Sequence, residues 1–139
     1  VLVVGLGRLG GAVARRLASM GTEVLGVDRD PELVQDHAEA LTKVVEADCT
    51  DPAVLRQLGA ADFATAVVGI GSDIEASVLT VLALADMGLT NVWAKASNAN
   101  HARILERIGA THVVFPEERM GERVAHLLNE RLLDFIAFD

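Results

Sequence analysis

The chain is 139 residues long, with a formal net charge of −8, a mean hydropathy of +0.35, one cysteine and no tyrosine. The length predicts one domain, and the negative charge argues against a nucleic-acid partner, because binding to a phosphate backbone needs a basic face. The single cysteine excludes an internal disulfide framework and a metal cluster built on cysteines. The absence of any charge-free run of about 18 residues argues against direct insertion into a membrane.

A glycine-rich loop follows the first apolar segment. Residues 1–4 predict a strand, and because Val1 already lies inside it, we expect the chain to be part of a longer protein. The loop reads Gly5-Leu6-Gly7-Arg8-Leu9-Gly10 and leads into a helical pattern. Gly5 permits the tight turn, Gly7 lets a diphosphate approach the backbone, and Gly10 lets the helix pack closely on the sheet. With phosphates at the helix N-terminus, this pattern predicts a dinucleotide-binding unit.

The second predicted strand, 23–28, ends in a carboxylate. Asp28 lies 18 residues after Gly10, near the spacing of about 20 expected for the acid that binds the adenosine ribose. A carboxylate there disfavours a 2′-phosphate, although the neighbouring Arg29 could receive one. The alternative is that Asp28 caps the next helix, but Asp30 is the better cap because Pro31 suits the first helical position.

The rest of the chain alternates between helical and strand patterns. This alternation predicts an α/β fold: a Rossmann-like, doubly wound, parallel six-stranded sheet with a C-terminal helix. Ligands bind to such sheets outside the carboxyl ends of the strands. The predicted helices are 31–41, 51–58, 74–87, 98–108 and a tail from about 117; the later strands are 43–48, 63–68, 91–95 and 112–115. The candidate residues at strand ends are Gly5, Asp28, Asp48, 69–73, Lys95 and 116–117.

Catalytic motifs are missing from the sequence. It contains no Tyr-x-x-x-Lys pair, no P-loop, no H-E-x-x-H and no G-x-S-x-G elbow, so we expect a binding domain and not an enzyme. The four histidines show no ligand spacing and are expected to be solvated or structural, and Cys49 is expected to be a small buried or half-buried residue and not a nucleophile. Two rivals remain: the nucleotide-binding domain of an NAD-dependent oxidoreductase and a redox-sensing NADH-binding repressor. A missing substrate domain and a missing helix-turn-helix argue against them in this piece.

Three charged positions are candidates for phosphate or metal binding. Arg8 could reach a phosphate with bidentate geometry, or it could be a solvated residue at a helix start. Lys95 could meet a terminal phosphate. Glu117 or Glu118 could bind a divalent cation, or could simply interact with the helix dipole.

Two helices predict association between copies. The helix over 74–87 is apolar nearly all round, unlike a one-faced surface helix. The tail repeats apolar residues at helical spacing after the sheet is complete, so a partner subunit is the expected cover. The alternative is that the tail folds back on its own sheet. The tail residues are Met120, Val124, Leu127, Leu128, Leu132, Phe135, Ile136 and Phe138.

Across its whole length the sequence resembles the RCK or KTN (TrkA N-terminal) regulatory domains of potassium transport systems, with the strongest likeness to cytosolic regulators of Ktr-type uptake. The later motifs are more specific than the glycine loop. The motifs are Gly5-Leu6-Gly7-Arg8-Leu9-Gly10, Val27-Asp28, Ala47-Asp48, Val68-Gly69-Ile70-Gly71 with Ile74-Glu75-Ala76-Ser77, Trp93-Ala94-Lys95-Ala96, Leu105-Glu106-Arg107-Ile108-Gly109-Ala110, and Pro116-Glu117-x-x-Met120-Gly121.

The resemblance implies a non-enzymatic domain that binds ATP, ADP or NAD(H), with Mg²⁺ or Ca²⁺ as candidate cations. It implies homodimers that assemble into a ring, an octamer, at the cytoplasmic face of a membrane-embedded potassium channel or transporter. Residues 1–128 would form the nucleotide-binding domain and 129–139 the crossover segment between partners, with a second ligand-binding domain following.

The resemblance also implies residue roles. Arg8 and Lys95 would contact phosphate, Asp28 would hold the ribose, and Asp48 would lie near the adenine. Glu117 matches an acidic residue at a divalent-cation site between subunits. Together, the motif and the resemblance predict a cofactor site formed by Gly5, Gly7, Arg8, Leu9, Gly10, Asp28, Arg29, Asp48, Cys49, Ile70, Gly71 and Lys95, and a metal ligand at Glu117.

Overall fold

A computed structural model describes the backbone of residues 1–138 and the side chains of residues 1–132. The described residues form a six-stranded sheet in the order β3-β2-β1-β4-β5-β6, and every neighbouring pair is parallel. The chain first builds outward from β1 and then crosses to β4, so the strand order reverses beside β1. The predicted fold class is confirmed. The strands are β1 (Leu2–Val4), β2 (Leu25–Asp28), β3 (Lys43–Glu46), β4 (Ala66–Val68), β5 (Val92–Lys95) and β6 (His112–Val114).

The helices begin where the sequence places polar caps. The side chains of Asp30, Asp51, Asp73 and Asn98 each accept a backbone N–H in the first turn of the helix that follows. The helices are α1 (Arg8–Ser19), α2 (Pro31–His37), α3 (Pro52–Gln57), α4 (Ile74–Asp86), α5 (Ala99–Ile108) and α6 (Pro116–Phe138), with a short 3₁₀ helix at Ala60–Asp62.

Helix α2 is shorter than predicted. It ends at His37 and not at residue 41. Leu41 is buried in the core, and the Thr42 hydroxyl oxygen accepts the Val24 N–H at 3.1 Å. These tertiary contacts turn the chain towards β3 before a further helical turn forms.

Two apolar clusters cover opposite faces of the sheet. One contains Leu2, Val81, Leu84 and Leu105, where α4 and α5 pack on the sheet. The other contains Val3, Leu6, Ala14, Val24 and Leu41, beneath α1 and α2. Leu2 and Val3 enter different clusters because successive residues of a strand point to opposite faces.

Much of the apolar surface of helix α4 is buried against its own domain. Val81 and Leu84 are fully buried in the core. Ile74, Leu79 and Leu82 remain 39–40% exposed. The all-round apolar pattern therefore reflects a half-buried helix together with a smaller uncovered strip.

Helix α6 leaves its apolar face uncovered. Its described apolar side chains are 47–61% exposed, so this part of the tail does not fold back on the sheet. The helix runs without a break through Leu128, so the predicted boundary at 128/129 falls inside one helix and stays a prediction. Within the described residues, no helix combines the length and apolar character needed to cross a bilayer. The exposed residues are Met120, Val124, Leu127, Leu128 and Leu132; the side chains of Phe135, Ile136 and Phe138 lie outside the described residues.

Candidate functional site

A cleft of about 260 Å³ opens at the carboxyl ends of β1 to β4. We call it the central cleft. It lies beside β1, at the reversal of strand order, which is where open parallel sheets bind ligands. Its walls come from the glycine loop, the ends of β2 and β3, the loop after β4, and the start of α4. The lining residues are Val4, Gly5, Gly7, 27–30, Leu33, 47–50, 69–73, Ala76 and Thr80.

The glycines of the first loop do different structural jobs. Gly5 has a φ of +90°, a backbone conformation that is strained for residues with a side chain. A Cβ atom built on Gly10 would collide with the Gly5 carbonyl oxygen, so α1 can approach the loop only because Gly10 has no side chain. A Cβ atom on Gly7 would meet nothing within 4 Å, so the space above Gly7 is open.

Asp28 ties the end of β2 to the glycine loop. Its Oδ2 accepts the Leu6 N–H at 2.8 Å, and its Oδ1 accepts the Asp30 N–H at 2.9 Å. Asp30, and not Asp28, caps α2 by accepting the Glu32 N–H at 2.9 Å. Each carboxylate oxygen of Asp28 keeps a second lone-pair direction, so the oriented group can accept hydrogen bonds from ligand hydroxyls.

An ion pair joins the two sides of the central cleft. Arg29 Nη2 lies 3.2 Å from Asp73 Oδ2, between residues 44 positions apart in sequence. Asp73 Oδ1 accepts the Ala76 N–H at 3.0 Å, which fixes Asp73 as the cap of α4. This backbone hydrogen bond is the main cause that lowers the pKa of Asp73, and Arg29 adds to the effect.

The segment after β3 adds another carboxylate and a buried thiol. Asp48 Oδ1 accepts the hydroxyl of Thr50 at 2.7 Å and its N–H at 3.0 Å, and these bonds lower the pKa of Asp48. Burial, with the nearby charges of Asp48 and Asp28, raises the pKa of the Cys49 thiol to about 12. Cys49 therefore stays protonated at neutral pH, as expected for a small buried residue and not a nucleophile.

A second cleft of about 770 Å³ lies beyond the loop after β4. We call it the lateral cleft. Gly71 and Ser72 line both clefts. Lys95 Nζ lies over Gly71, since a Cβ atom built there would be 2.6 Å from that nitrogen, and the Ser97 hydroxyl donates to the Gly71 carbonyl at 2.7 Å. The remaining lining residues are Ala96, Asn98, Ala99, Phe115, Pro116, Glu117, Glu118, Arg119 and Glu122.

The structure brings together most of the predicted site residues. Gly5, Gly7, Asp28, Arg29, Asp48, Cys49, Ile70 and Gly71 line the central cleft, and Lys95 and Glu117 line the lateral cleft. Arg8, Leu9 and Gly10 form the first turn of α1 and line neither cleft; Arg8 is exposed and Gly10 is buried.

Thr50 was not predicted as a site residue, and Ser72 and Asp73 were predicted only as part of the strand-end range 69–73. Thr50, Ser72 and Asp73 are turn or cap residues, and their only sequence signal is that they follow strand ends. For the predicted metal ligand, Glu117, the described residues provide no group of three or more His, Cys, Asp or Glu side chains that could hold an ion. Metal binding at Glu117 stays a prediction.

Two of the four histidines are buried in the fold, and the other two lie at its surface. His37 is buried, with Nδ1 2.8 Å from the Leu33 carbonyl oxygen and Nε2 2.9 Å from the Arg15 guanidinium. His101 is also buried: Nδ1 accepts the Ser97 N–H at 3.0 Å, which leaves Nε2 to donate to the Ser77 hydroxyl at 3.1 Å. Burial lowers the pKa of His101. His112 stacks on Trp93, and His126 lies 3.1 Å from Glu130.

The sequence relatives of this chain include potassium uptake proteins. It is 42% identical to Ktr system potassium uptake protein A and 39% identical to protein C, both from Bacillus subtilis, over 135 residues in each case. These matches cover 96% of this chain and 61% of each relative. The chain therefore spans about three-fifths of the length of these relatives.

Solved structures share the fold. The TrkA-N domain of inner membrane protein ybaL from Escherichia coli has a TM-score of 0.81 at 16% identity, covering 91% of this chain and 94% of that one. The Kef C-terminal domain of Shewanella denitrificans, in an AMP-bound form, scores 0.71 at 24% identity and covers 98% and 89%. The GsuK channel bound to NAD scores 0.66 at 21% identity and covers 81% and 20%.

The family profile described as the TrkA-N domain matches residues 1–116. The matched range contains all six strands and both the Asp28 and Asp73 sides of the central cleft. This chain belongs to the TrkA-N domain family.

Proposed function

We propose that this chain is a regulatory nucleotide-binding domain of a potassium uptake system and that it binds ATP and ADP, or NAD(H), without transforming them. The observation that carries the proposal is the division of the central cleft into an acidic side and an open glycine side. The Ktr proteins among the relatives support the transport context, and the AMP-bound and NAD-bound neighbours support the class of ligand.

The acidic side suits a nucleoside. The carboxylates of Asp28, Asp48 and Asp73 are oriented by hydrogen bonds from backbone or hydroxyl groups. They accept hydrogen bonds from ribose hydroxyls and the adenine amine, and they repel phosphate. A nucleotide therefore places its ribose and base here and its phosphates elsewhere.

The glycine side suits phosphates. The space above Gly7 is open, and the N-terminus of α1 follows directly; no side chain caps it, and it carries a partial positive charge. Arg8 is exposed at the first helical position, and Lys95 lies beyond Gly71 at the lateral cleft. A longer phosphate chain reaches further towards these two cations, which gives a physical basis for distinguishing ATP from ADP.

The regulatory mechanism we propose is linkage between nucleotide and assembly shape. A nucleotide can shift the shape only through contacts that differ between two shapes. The adenosine contacts are common to ATP and ADP, so the difference must arise near the terminal phosphate. The proposed cation at Glu117, Mg²⁺ or Ca²⁺, would act at this end.

We further propose that α6 joins two copies of the chain and that residues 129–139 form the crossover segment. Support comes from the exposed apolar face of α6 and from the strip on α4. The dimers would assemble into an octameric ring against a membrane potassium channel or transporter, at the cytoplasmic face.

We expect light scattering at micromolar concentration to give at least a dimer. Leu128→Glu should reduce the mass, whereas His126→Glu, which places a carboxylate on the opposite, exposed face of α6 before the crossover segment, should not. A monomeric wild-type protein would refute this part.

Calorimetric titration of the chain with ATP, ADP, AMP, NAD⁺ and NADH, with and without Mg²⁺ or Ca²⁺, tests the nucleotide proposal. We expect ATP and ADP to bind, with a cation effect on ATP that Glu117→Gln removes. Preference for NAD(H) would favour a redox-linked regulator of the same family, and turnover of NADH with an added substrate would favour the oxidoreductase alternative. Failure of all five ligands to bind would refute the proposal.

Arg8→Ala tests the phosphate end. We expect it to weaken ATP more than ADP, by about tenfold, because charge-assisted contacts to the terminal phosphate would be lost. Arg16→Ala removes an exposed arginine from the same helix and is the matched control. An equal loss for both nucleotides would place Arg8 away from the γ-phosphate.

A further inference from the structure

We propose that Asp73 is a specificity-determining residue: by pairing with Arg29 it keeps that guanidinium from receiving a 2′-phosphate, so the central cleft selects nucleotides with a free 2′-hydroxyl. The inference rests on the proposed nucleotide binding and adds a second level of ligand selection to it.

Arg29 is the group that would otherwise let the central cleft accept a 2′-phosphate. It directly follows Asp28, and an arginine beside the ribose acid is what accommodates a 2′-phosphate in dinucleotide sites. The guanidinium matches phosphate oxygens with bidentate hydrogen bonds. Among the described residues that line the central cleft, Arg29 is the only lysine or arginine. Left unpaired, it would offset the repulsion that Asp28 exerts on a 2′-phosphate.

Asp73 holds this arginine from the opposite side of the cleft. Its position is set independently of Arg29, because Oδ1 accepts the Ala76 N–H and caps α4. This leaves Oδ2 directed at the arginine, with the two atoms 3.2 Å apart. Arg29 comes from the end of β2, so the pair forms only when both walls of the cleft are in place. Asp73 therefore occupies the guanidinium with a carboxylate built into the cleft.

The other charges that line the central cleft also disfavour a 2′-phosphate. The lining contains four carboxylates, on Asp28, Asp30, Asp48 and Asp73, against one guanidinium. A 2′-phosphate would have to displace Asp73 from Arg29 and also enter this negative field. The pair is partly exposed, with the side chains 64% and 38% accessible, and such pairs are weak. Phosphate can therefore compete once Asp73 is altered, and the expected discrimination from the pair is about tenfold.

The test uses ligand pairs that differ only in the 2′-phosphate. AMP is compared with adenosine 2′,5′-bisphosphate, and NAD⁺ with NADP⁺, by calorimetry on the full chain. The variants are Asp73→Asn and Asp73→Ser; both residue types are good N-caps, so α4 keeps its first-turn hydrogen bond. The measured quantity is the ratio of the two affinities within each variant, which cancels general losses of binding. We expect both variants to shift this ratio about tenfold towards the 2′-phosphorylated ligand.

Arg29 provides the decisive control. In the double variant Arg29→Ala/Asp73→Asn the shift should disappear, because the freed guanidinium is what receives the phosphate. An unchanged ratio in both single variants, while AMP still binds, would overturn the inference and leave the proposed function standing. A shift that persists in the double variant would also overturn it, since simple removal of negative charge would then be the cause. If the wild-type chain bound none of these four ligands and also none of ATP, ADP and NADH, the proposed function would fail as well.

Discussion

The two clefts differ in how their polar groups are held. In the central cleft, Asp28, Asp48 and Asp73 each accept a hydrogen bond from the chain's own backbone. In the lateral cleft, Lys95 and Glu117 form no salt bridge among the described residues, although both are charged. The central cleft is thus preorganised by its own sequence, whereas the lateral cleft offers charges that a phosphate, a cation or a second copy can complete. Pre-organised groups lose little freedom on binding, and so they suit recognition of the constant part of a ligand.

The largest effect we predict comes from disturbing the packing of α1 against the glycine loop, which lines the central cleft. Gly10→Ala places a Cβ atom against the Gly5 carbonyl oxygen, which belongs to packed backbone and cannot easily move aside. Overpacking of this kind forces main-chain shifts, and we expect a loss of about 3 kcal/mol in the free energy of unfolding. Denaturation in urea measures this loss.

Gly7→Ala is the matched control for that experiment. Its Cβ atom would meet nothing within 4 Å, and the φ of −72° suits alanine. We expect stability within about 0.5 kcal/mol of wild type but weaker nucleotide binding, because the methyl group occupies the space above the loop. Equal destabilisation by the two substitutions would contradict the different roles assigned to these glycines.

The lateral cleft should respond through affinity and not stability. Lys95→Gln removes the ammonium group over Gly71, and we expect ATP to bind about tenfold more weakly, with a smaller change for AMP. Lys43→Gln removes an exposed lysine at the start of β3, outside both clefts, and should change neither affinity. A uniform loss for ATP and AMP in Lys95→Gln would show that Lys95 supports the cleft and does not select the phosphate chain.

The smallest effect we predict is on pH dependence. Burial lowers the pKa of His101 in the fold, whereas in the unfolded chain this histidine takes up a proton near pH 6.5. The unfolded state then binds more protons, so stability falls as the pH drops below about 6.5. His101→Gln should flatten this part of the curve, measured by urea denaturation at several pH values.

Acid below pH 3.8 provides the comparison for that curve. The lowered pKa values of Asp48 and Asp73 make both proteins lose stability as these carboxylates become protonated. The slope of stability against pH should therefore differ between wild type and His101→Gln below about pH 6.5, and it should be the same for both proteins below pH 3.8. If His101→Gln kept the wild-type slope below 6.5, another histidine would be the source.

Local patterns were enough to predict the order of the elements. The Asp30-Pro31 and Asp51-Pro52 pairs specify helix starts through side-chain caps and the fixed φ of proline, and neither depends on distant residues. The glycine loop and Asp28 could likewise be read from spacing. Because strand ends of a parallel sheet meet at one edge, the central cleft followed from the element order.

Contacts between distant segments could not be predicted from the sequence. The Arg29–Asp73 pair requires the order of the sheet and the angle of α4, which no local pattern encodes. The end of α2 depended on the burial of Leu41, a tertiary effect. The apolar pattern of α4 did not separate residues covered by the domain, such as Leu84, from exposed ones, such as Leu82.

The stacking of Trp93 on His112 has a practical consequence. Trp93 is the only tryptophan in a chain without tyrosine, so the intrinsic fluorescence of the protein comes almost entirely from one known ring. That ring lies 4.1 Å from the His112 ring, bridges β5 and β6, and sits two residues before Lys95. We therefore expect its emission to respond to changes at this edge of the sheet, next to the strand end that carries Lys95. Ligand binding at the lateral cleft could then be followed in real time without any label.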